Sequence, residues 1–298
     1  MIRSNSIFRA VFLLSGVVIA MTQANECSVA ESVEKASHPC PIDADLWILG
    51  GQSNMQGYGI QLVKEATDPR IMIFSMDNHW MIAEEPIHRL YEAAAPVHRA
   101  INIAMGHKPE DLDRLAEESK KKPVGGVGPG LYFAQRVLEV SGRPIGLIPC
   151  AHGGTSMNQW SPDLKAEGDD SLYGAMLNRI QRVGGKVKGV LWYQGESDTD
   201  PGSCDAYKGK MINFIDSLRR DTDNPDLPIL IVQLGRYMQM GQPAEKELGF
   251  QKVRESQRLL VRERKNVFMV PAVDLSLDDP IHISQEGQKV LGQRLAET

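Results

Sequence analysis

The stretch that decides the fold is Trp47-Ile48-Leu49-Gly50-Gly51-Gln52-Ser53-Asn54-Met55. Its apolar residues run unbroken to Leu49, which is the pattern of a strand buried on both faces of a parallel sheet. The two glycines that follow allow a sharp turn, which exposes the Ser53 hydroxyl at the edge of the sheet. Such a serine is accessible to a base from another loop, although a serine in this position also caps helices well. The Gly-x-Ser-x-Gly elbow of the α/β-hydrolases is absent, because residue 55 is methionine.

Similar apolar runs recur along the chain, with stretches of helical periodicity between them. The predicted strands are Leu46–Leu49, Ile71–Phe74, Ile145–Pro149, Gly189–Tyr193, Ile229–Leu234 and Val267–Pro271. The predicted helices are Leu131–Val140, Leu172–Val183, Asp205–Arg219, Glu245–Val261 and Ser284–Glu297. This alternation predicts an α/β fold in which a mostly parallel sheet lies between helices. In such a fold the loops at the carboxyl ends of the strands build the functional site.

The first 24 residues have the order of a secretory signal peptide. Arg3 and Arg9 give a basic start, the run from Ala10 to Met21 is uncharged and mostly apolar, and small residues place a cleavage site after Ala24. The apolar run is shorter than the roughly 20 residues of a membrane-spanning helix, although an uncleaved anchor is the alternative. We therefore expect a secreted or periplasmic protein that is not inserted in a membrane after cleavage.

Length and composition are those of an ordinary soluble protein. The chain has 298 residues, of which 42% are apolar and 24% charged, enough for one large domain. We predict a signal peptide at 1–24, an irregular mature N-terminus at 25–43 and a single folded domain at 44–298. Cleavage removes two of the 33 basic residues and none of the 38 acidic ones, which leaves a net charge of −7. This charge argues against nucleic acid or an anionic membrane as a partner.

Four cysteines follow the predicted leader: Cys27, Cys40, Cys150 and Cys204. An even count in an exported chain indicates disulfides, but four cysteines allow three pairings, of which Cys27 with Cys40 is a local one. Cys150 lies just after a predicted strand, where a small buried thiol is an equally good interpretation. No cofactor or metal is expected, because the histidines outside the motifs are scattered and no Cys-x-x-Cys or His-Glu-x-x-His pattern occurs.

A base for Ser53 is offered by Asp279-Pro280-Ile281-His282, just before the last predicted helix. Histidine titrates in the useful range and can take the proton of a serine hydroxyl. An aspartate three residues earlier can fold back to the imidazole and hold its tautomer. Asp274 and Asp278 are rival acids by position, and a plain surface turn is the alternative for the whole motif.

A second polar motif, Tyr193-Gln194-Gly195-Glu196-Ser197-Asp198, also lies at the carboxyl end of a predicted strand. The side-chain amide of Gln194 can donate to an oxyanion that develops during acyl transfer. Glu196 and Asp198 can orient neighbouring loops, and for Asp198 we favour ordinary loop hydrogen bonding.

A third motif, Cys150-Ala151-His152-Gly153-Gly154-Thr155-Ser156, follows another predicted strand. The unhindered backbone N–H groups of Gly153 and Gly154 can supply a further oxyanion donor, with a plain tight turn as the alternative. His152 has no acid at a useful spacing, so we interpret it as a substrate-facing or packing residue.

Residues 75–127 form a long insertion that contains proline, histidine and charged residues. An insertion of this length between strands is expected to cover the carboxyl edge of the sheet and to shape a binding cleft. The glycine-rich segment Gly125–Gly130 fits neither nucleotide-binding pattern and instead predicts a helix start with Pro129 in the first turn.

Taken together, the motifs resemble the SGNH, or GDSL-like, hydrolase superfamily. The resemblance is stronger to its sialate O-acetylesterase-related branch, which includes carbohydrate esterases that act on acetylated xylan, and it covers about residues 44–296. The blocks that carry it are Gly51–Met55, Val127–Gly130, Gly153–Thr155, Trp192–Asp198 and Asp279–His282. Gln194 stands where many members of the wider superfamily have asparagine, and glutamine is common in this branch.

The resemblance implies a three-layer α/β/α sandwich of the flavodoxin-like kind and deacetylation of a sugar through an acyl-serine intermediate. By analogy Ser53 is the nucleophile, His282 the base and Asp279 the acid that orients it. The implied oxyanion donors are the backbone N–H of Ser53, a glycine N–H at Gly153 or Gly154, and the amide of Gln194. Supporting or substrate-contacting roles are assigned to Gln52, Asn54, Glu196, His152 and Trp160.

Two other functions remain open at this stage. A lipase or thioesterase of the same superfamily would need an apolar tunnel for a long acyl chain, and a sugar-binding protein would carry the same motifs without activity. The identity of the acetylated sugar, xylan, sialic acid or another glycan, is also open, as is the oligomeric state. Trp80 and Trp160 are candidates for stacking on a sugar face, although either can be a core residue.

Overall fold

A computed structural model describes residues 43–184, 187–241 and 243–298. The predicted signal peptide, residues 25–42 of the predicted irregular segment, and the cysteines Cys27 and Cys40 lie outside the described residues. Cys150 and Cys204 are both buried free thiols. Within the described ranges, no helix combines the length and apolar character needed to cross a bilayer.

The centre of the fold is one seven-stranded sheet with the order β3-β2-β4-β1-β5-β6-β7. The strands are β1 (Asp45–Gly51), β2 (Ile71–Phe74), β3 (Trp80–Ile82), β4 (Ile145–Pro149), β5 (Val187–Tyr193), β6 (Ile229–Gln233) and β7 (Val267–Pro271). All neighbouring pairs are parallel except β2 with β3. The six predicted strands are confirmed. Strand β3 was missed, because three residues at a sheet edge are too few to show a periodicity.

The helices lie between the strands in the chain and flank the sheet in space. They are α1 (Ser53–Gln56), α2 (Pro96–Ala104), α3 (Pro109–Lys121), α4 (Gly130–Ser141), α5 (Leu172–Arg182), α6 (Ser203–Asp221), α7 (Ala244–Glu263) and α8 (Gln285–Glu297). Helix α4 packs against α8, and α6 packs against α7. The five predicted helices are confirmed, and with them the α/β fold that has a mostly parallel sheet flanked by helices. Helix α1 was not predicted because it is a single turn, and α2 and α3 were not recognised although each begins at a proline.

The ends of the helices follow local chemistry. Helix α4 begins directly after Pro129, so the glycine-rich segment starts a helix as predicted, with the proline one position before it. Helix α8 begins after Ser284, whose side chain accepts a hydrogen bond from the N–H of Gly287. This cap places the start of α8 immediately after the Asp279–His282 motif.

Strand β1 occupies the position where the chain changes direction across the sheet. It lies between β4 and β5, with β2 and β3 beyond one neighbour and β6 and β7 beyond the other. The crevice at the carboxyl end of such a strand is where open α/β sheets bind their ligands. The segments after β1, β4 and β5 join there, since Gln52 N–H donates to Tyr193 O at 2.8 Å and His152 N–H donates to Gly51 O at 3.1 Å.

Gly51 at the end of β1 is in tight contact with the backbone of β5. Its φ is +125°, a conformation that residues with a side chain rarely adopt. A Cβ atom at this position would lie 2.1 Å from Tyr193 O and 2.9 Å from Tyr193 N. Only glycine allows the turn into Ser53 to pass this close to the neighbouring strand.

We predict that Gly51→Ala lowers the free energy of unfolding far more than Gly106→Ala. Gly106 also has a positive φ, +98°, but a Cβ there meets no atom within 4 Å, so it is a control for backbone strain alone. The clash with β5 should add about 3 kcal/mol or more to the loss at Gly51. Urea unfolding of the two variants measures the difference. Equal losses would mean that the close approach of β1 to β5 is unimportant.

Candidate active site

Ser53 begins the single turn α1 at the carboxyl end of β1. Its residue surface is only 6% exposed, and its carbonyl accepts a hydrogen bond from Gly57 N–H at 2.9 Å. The backbone N–H groups of a first helical turn have no acceptor within the helix, so that of Ser53 is available to a ligand. The hydroxyl lies 3.0 Å from His282 Nε2, a hydrogen-bonding distance.

His282 and Asp279 complete a chain of hydrogen bonds from the serine hydroxyl to a carboxylate. His282 Nδ1 lies 2.6 Å from Asp279 Oδ2, and the carboxylate can only accept, so Nδ1 carries the proton. Asp279 Oδ1 also accepts from the backbone N–H groups of Ile281 and His282. Partial burial opposes ionisation, but the bonds from the imidazole and the two N–H groups outweigh it and lower the pKa of Asp279. Nε2 is then free to accept the serine proton.

The two rival acids have other partners. The carboxylate of Asp274 is held by both terminal nitrogens of Arg294, at 2.8 and 2.6 Å, and this bond lowers the pKa of Asp274 to about 2. The carboxylate of Asp278 accepts the backbone N–H of Ile60 at 2.7 Å. The carboxylate that contacts the imidazole is that of Asp279, as expected from the sequence.

Asn54 fixes the segment that carries His282. Its Oδ1 accepts from Ile283 N–H at 2.9 Å, and its Nδ2 donates to Ile281 O at 3.2 Å. The same Nδ2 donates to Glu196 Oε1 at 2.9 Å, so the orientation of the amide is also determined by the loop after β5. Glu196 is almost fully buried, and burial raises the pKa of its carboxyl group. The structure thus places Asn54 and Glu196 in contact with each other and next to the segment of His282, and their supporting role stays a prediction.

Gln52 and Gln194 form the floor beneath the serine. Gln52 Oε1 lies 3.4 Å from Gly195 N and 3.3 Å from Ser197 N, so it holds the loop after β5. Gln194 is fully buried, and its Nε2 donates to Thr155 O at 3.1 Å and to Asp198 Oδ2 at 2.6 Å. Both amide hydrogens are thereby engaged with the protein. Without a ligand Gln194 therefore connects the loops after β4 and β5, and its expected role as an oxyanion donor stays a prediction.

Gly153 lies directly beside the nucleophile. A Cβ atom on Gly153 would be 3.4 Å from Ser53 Cβ and 3.2 Å from Tyr58 Oη, so a side chain here would crowd the hydroxyl. The Gly153 N–H donates to Gln56 Oε1 at 2.7 Å. Gly154, the other expected donor, is exposed to solvent, with the sulfur side chain of Met105 next to its Cα. Of the two glycines, Gly153 is therefore better placed to donate its backbone N–H to an oxyanion formed at Ser53.

Tyr58 is a site residue that the sequence motifs did not indicate. Its ring stacks on the imidazole of His282, with centroids 4.4 Å apart and an angle of 18° between the planes. The stack covers one face of the base and leaves its edge directed at Ser53. The motif ends at Met55, and no periodicity or spacing marks a tyrosine three residues later as a neighbour of a histidine near the C-terminus.

The two tryptophans considered for sugar stacking are core residues. Trp160 is 0% exposed, its indole N–H donates to Thr155 Oγ1 at 3.0 Å, and its ring meets that of Trp192 edge-on. Trp80 is 6% exposed and packs on Phe74 across the β2–β3 pair. The suggested contact of Trp160 with substrate is therefore wrong, because its ring is buried against Trp192 and Phe214.

A cleft of about 520 Å³ opens beside the triad. Gln56, Tyr58 and Gly153 form its inner end, and the insertion 75–127 contributes much of the remaining wall, as expected for a cleft shaped by this segment. His152 also lines the cleft. Its Nδ1 shares a hydrogen bond of 2.9 Å with His98 Nδ1, and burial lowers the pKa of His152 to about 4. It is thus an uncharged residue that both packs and faces the cleft.

The chain is similar to known proteins in both sequence and fold. A family model described as carbohydrate esterase, sialic acid-specific acetylesterase matches residues 43–298. A probable carbohydrate esterase of Arabidopsis thaliana is 33% identical over 297 residues, which cover 91% of this chain and 96% of the relative. The solved structure of an Arabidopsis thaliana protein has a TM-score of 0.65 at 32% identity and covers 86% of this chain and 97% of that one.

More distant proteins are also similar to the chain. The sialate O-acetylesterase of Mus musculus is 24% identical over 304 residues, which are 78% of this chain and 51% of the relative. The structure of a carbohydrate acetylesterase from Xanthomonas citri has a TM-score of 0.61 at 22% identity, covers 85% of this chain and 54% of that one, and shows the fold alone. The chain therefore belongs to the carbohydrate esterase family of the sialic acid-specific acetylesterases, and it is a carboxylic-ester hydrolase.

Proposed function

We propose that this enzyme removes acetyl groups from a carbohydrate through an acyl-serine intermediate, with Ser53 as nucleophile. The observation that carries the proposal is the continuous set of hydrogen bonds from Ser53 Oγ through the His282 imidazole to the Asp279 carboxylate. The set lies at the inner end of a cleft that is open to a small ligand. Membership of a carbohydrate esterase family supports the substrate class.

The reaction follows from the geometry of the three residues. His282 Nε2 takes the proton of Ser53 Oγ while the oxygen attacks the acetyl carbonyl. The imidazolium is stabilised by Asp279, and it returns the proton to the sugar oxygen as the ester bond breaks and the acetyl-serine forms. A water molecule then gives a proton to the same nitrogen and attacks the acetyl-serine, and the proton returns to Ser53 as acetate leaves.

The carbonyl oxygen becomes negative in both steps and needs hydrogen-bond donors. The Ser53 N–H is a free donor of the first turn of α1, and the Gly153 N–H lies beside it. In the structure the amide oxygen of Gln56 occupies the acceptor position on Gly153 N–H. We infer that the substrate oxygen displaces Gln56 when it binds. The Gln194 amide would have to exchange its bonds to Thr155 and Asp198 in order to donate in this step.

The alternative of a lipase or thioesterase is less well supported by the wall of the cleft. A long acyl chain requires an apolar tunnel, whereas amides, phenols and imidazoles make up much of this wall, for example Gln56, Tyr91 and Asn102. Such groups exchange hydrogen bonds with sugar hydroxyls. Acetate and hexanoate esters of one aryl alcohol separate the two functions, and a preference for hexanoate would favour the lipase.

We predict that Ser53→Ala abolishes the hydrolysis of an aryl acetate. The rate constant kcat should fall by about four orders of magnitude or more, because the nucleophile itself is removed. The matched control is Ser156→Ala, a serine after β4 whose hydroxyl contacts Gln159 instead of an imidazole. Release of 4-nitrophenol measures the rates, and circular dichroism checks the fold. Wild-type turnover by Ser53→Ala would remove this residue from its assigned role.

We predict that Asp279→Asn lowers kcat by about 10⁴-fold, because an amide does not hold the imidazole in the tautomer that accepts the serine proton. Asp274→Asn is the control, since this aspartate lies in the same loop but is paired with Arg294. That variant should keep kcat within a factor of about two. A severe loss in Asp274→Asn, with Asp279→Asn active, would reverse the assignment of the acid.

We also propose that the protein is exported and that its leader is removed after Ala24. The proposal rests on the basic, apolar and small-residue order of residues 1–24. Expression of the full chain in a bacterial host, followed by N-terminal sequencing of the protein outside the cytoplasm, should give a chain that begins at Asn25. A protein that stays in the cell and begins at Met1 would contradict it.

A further inference from the structure

The cleft beside Ser53 has the size and position of a substrate site. Its volume of about 520 Å³ lies within the range of roughly 300–1,000 Å³ that is usual for small-ligand sites. Tyr58 and Gly153 belong both to its wall and to the surroundings of Ser53 and His282. A sugar whose acetyl group reaches Ser53 must therefore place its ring against this wall.

The wall offers hydrogen bonds without formal charge. Its polar side chains include the amides Gln56, Gln61 and Asn102 and the phenols Tyr58 and Tyr91. Each of these groups can donate to and accept from a sugar hydroxyl, or contact the face of the ring. Among the described residues, no lysine, arginine, aspartate or glutamate lines the cleft.

The buried histidines of the wall do not supply a cation. Burial lowers the pKa of His88 to about 3 and that of His152 to about 4, so both rings are neutral near pH 7. His98, which shares a hydrogen bond with His152, also has a pKa that is lowered by burial. His107 also lines the cleft.

The nearby charges favour a neutral ligand as well. At the rim, the carboxylate of Asp278 is bonded to the N–H of Ile60, which lines the cleft. The carboxylate of Asp279 lies behind the imidazole that Tyr58 covers. Two arginines lie near the wall: Arg89 follows His88 in the chain, and Arg99 lines a smaller pocket that shares Asn102 with the cleft. Arg89 is paired with Glu84 and Arg99 with Asp113, each at 2.9 Å.

A carboxylate in this cleft would lose hydration without gaining a cationic partner. Removing an unpaired anion from water is costly, and like charges at the rim add to the cost. We propose that the cleft selects an uncharged acetylated sugar and discriminates against acidic sugars such as a sialate. The inference rests on the proposed acetylesterase function and adds the charge class of its substrate, in contrast to the sialic acid specificity for which the family is described.

A matched pair of substrates tests the inference: 9-O-acetyl-N-acetylneuraminic acid and its methyl ester, which differ in the charge of one carboxyl group. Acetate release at pH 7.5 is measured for both, with acetylated xylobiose as a plain neutral sugar. We expect kcat/KM for the methyl ester and the xylobiose to exceed that for the acid at least tenfold. Equal or faster hydrolysis of the free acid, or hydrolysis of neither neutral sugar, would overturn the proposal.

Hydrolysis of an aryl acetate distinguishes a failure of the proposed esterase function from a failure of the charge selectivity. Hydrolysis of 4-nitrophenyl acetate that depends on Ser53 shows that the esterase is active, whatever the sugar preference. If the aryl acetate is not hydrolysed, the proposed function fails and the charge selectivity fails with it. If the aryl acetate is hydrolysed and the acid is preferred to its methyl ester, only the charge selectivity fails.

A cation introduced into the wall should reverse the preference. Gln61→Arg places a guanidinium at an exposed position of the cleft, and Gln61→Met is the matched uncharged control. We expect Gln61→Arg, and independently Asn102→Arg, to raise the ratio of kcat/KM for the acid to that for its methyl ester at least fivefold. The ratio should stay at the wild-type value in Gln61→Met. An unchanged ratio in both arginine variants would overturn the assignment of this wall as the discriminating surface.

Discussion

Both ends of the Asn54 side-chain amide are bonded to the segment that carries His282. Strand β7, which precedes this segment, lies three positions from β1 in the sheet, so the loop must cross the ends of β5 and β6 to reach Ser53. The bonds to Ile281 O and Ile283 N–H hold the backbone on either side of the histidine. Because Asn54 is the residue after Ser53, the proposed nucleophile and the proposed base are positioned by adjacent residues of the same turn.

The turn itself is held by a buried polar network below it. Gln52 holds the loop after β5, Gln194 joins that loop to the one after β4, and Glu196 supports Asn54. Polar groups buried in this way stabilise a unique arrangement when they are bonded to one another. Gln194 and Glu196 of the Gln-Gly-Glu-Ser-Asp motif are thus bonded to the segments around Ser53 and support the geometry of the site.

The residues that position Ser53 and the residues that form the wall of the cleft come from different parts of the chain. The residues that meet at the ends of β1, β4 and β5, together with the loop after β7, form the triad and its floor. The insertion 75–127 adds side chains such as Tyr91 and Asn102 to the wall of the cleft. A sheet edge with a fixed triad can thus serve different sugars when the insertion changes, because the wall is largely independent of the hydrogen bonds that position Ser53.

The amino-acid sequence by itself determined six strands, five helices and the order of the motifs. Apolar periodicity, proline and capping residues act between residues close in the chain, and this local chemistry can be recognised without a structure. Asp279 was also the preferred acid, because a three-residue turn places it near His282. The short strand β3 lacked such signals. Helices α2 and α3 of the insertion carried them, since each begins at a proline and α3 has acids in its first turn and lysines in its last, but they were not recognised.

Only the tertiary structure decided which side chains meet across the chain. Ser53 and His282 are 229 positions apart, and Asn54 and Glu196 are 142 apart. The stacking of Tyr58 on the base, the enclosure of Trp160 in the core and the engagement of both Gln194 hydrogens depend on contacts of this kind. Residue type and spacing do not report them, because a side chain's partners are determined by how the strands are ordered and how the loops cross their ends.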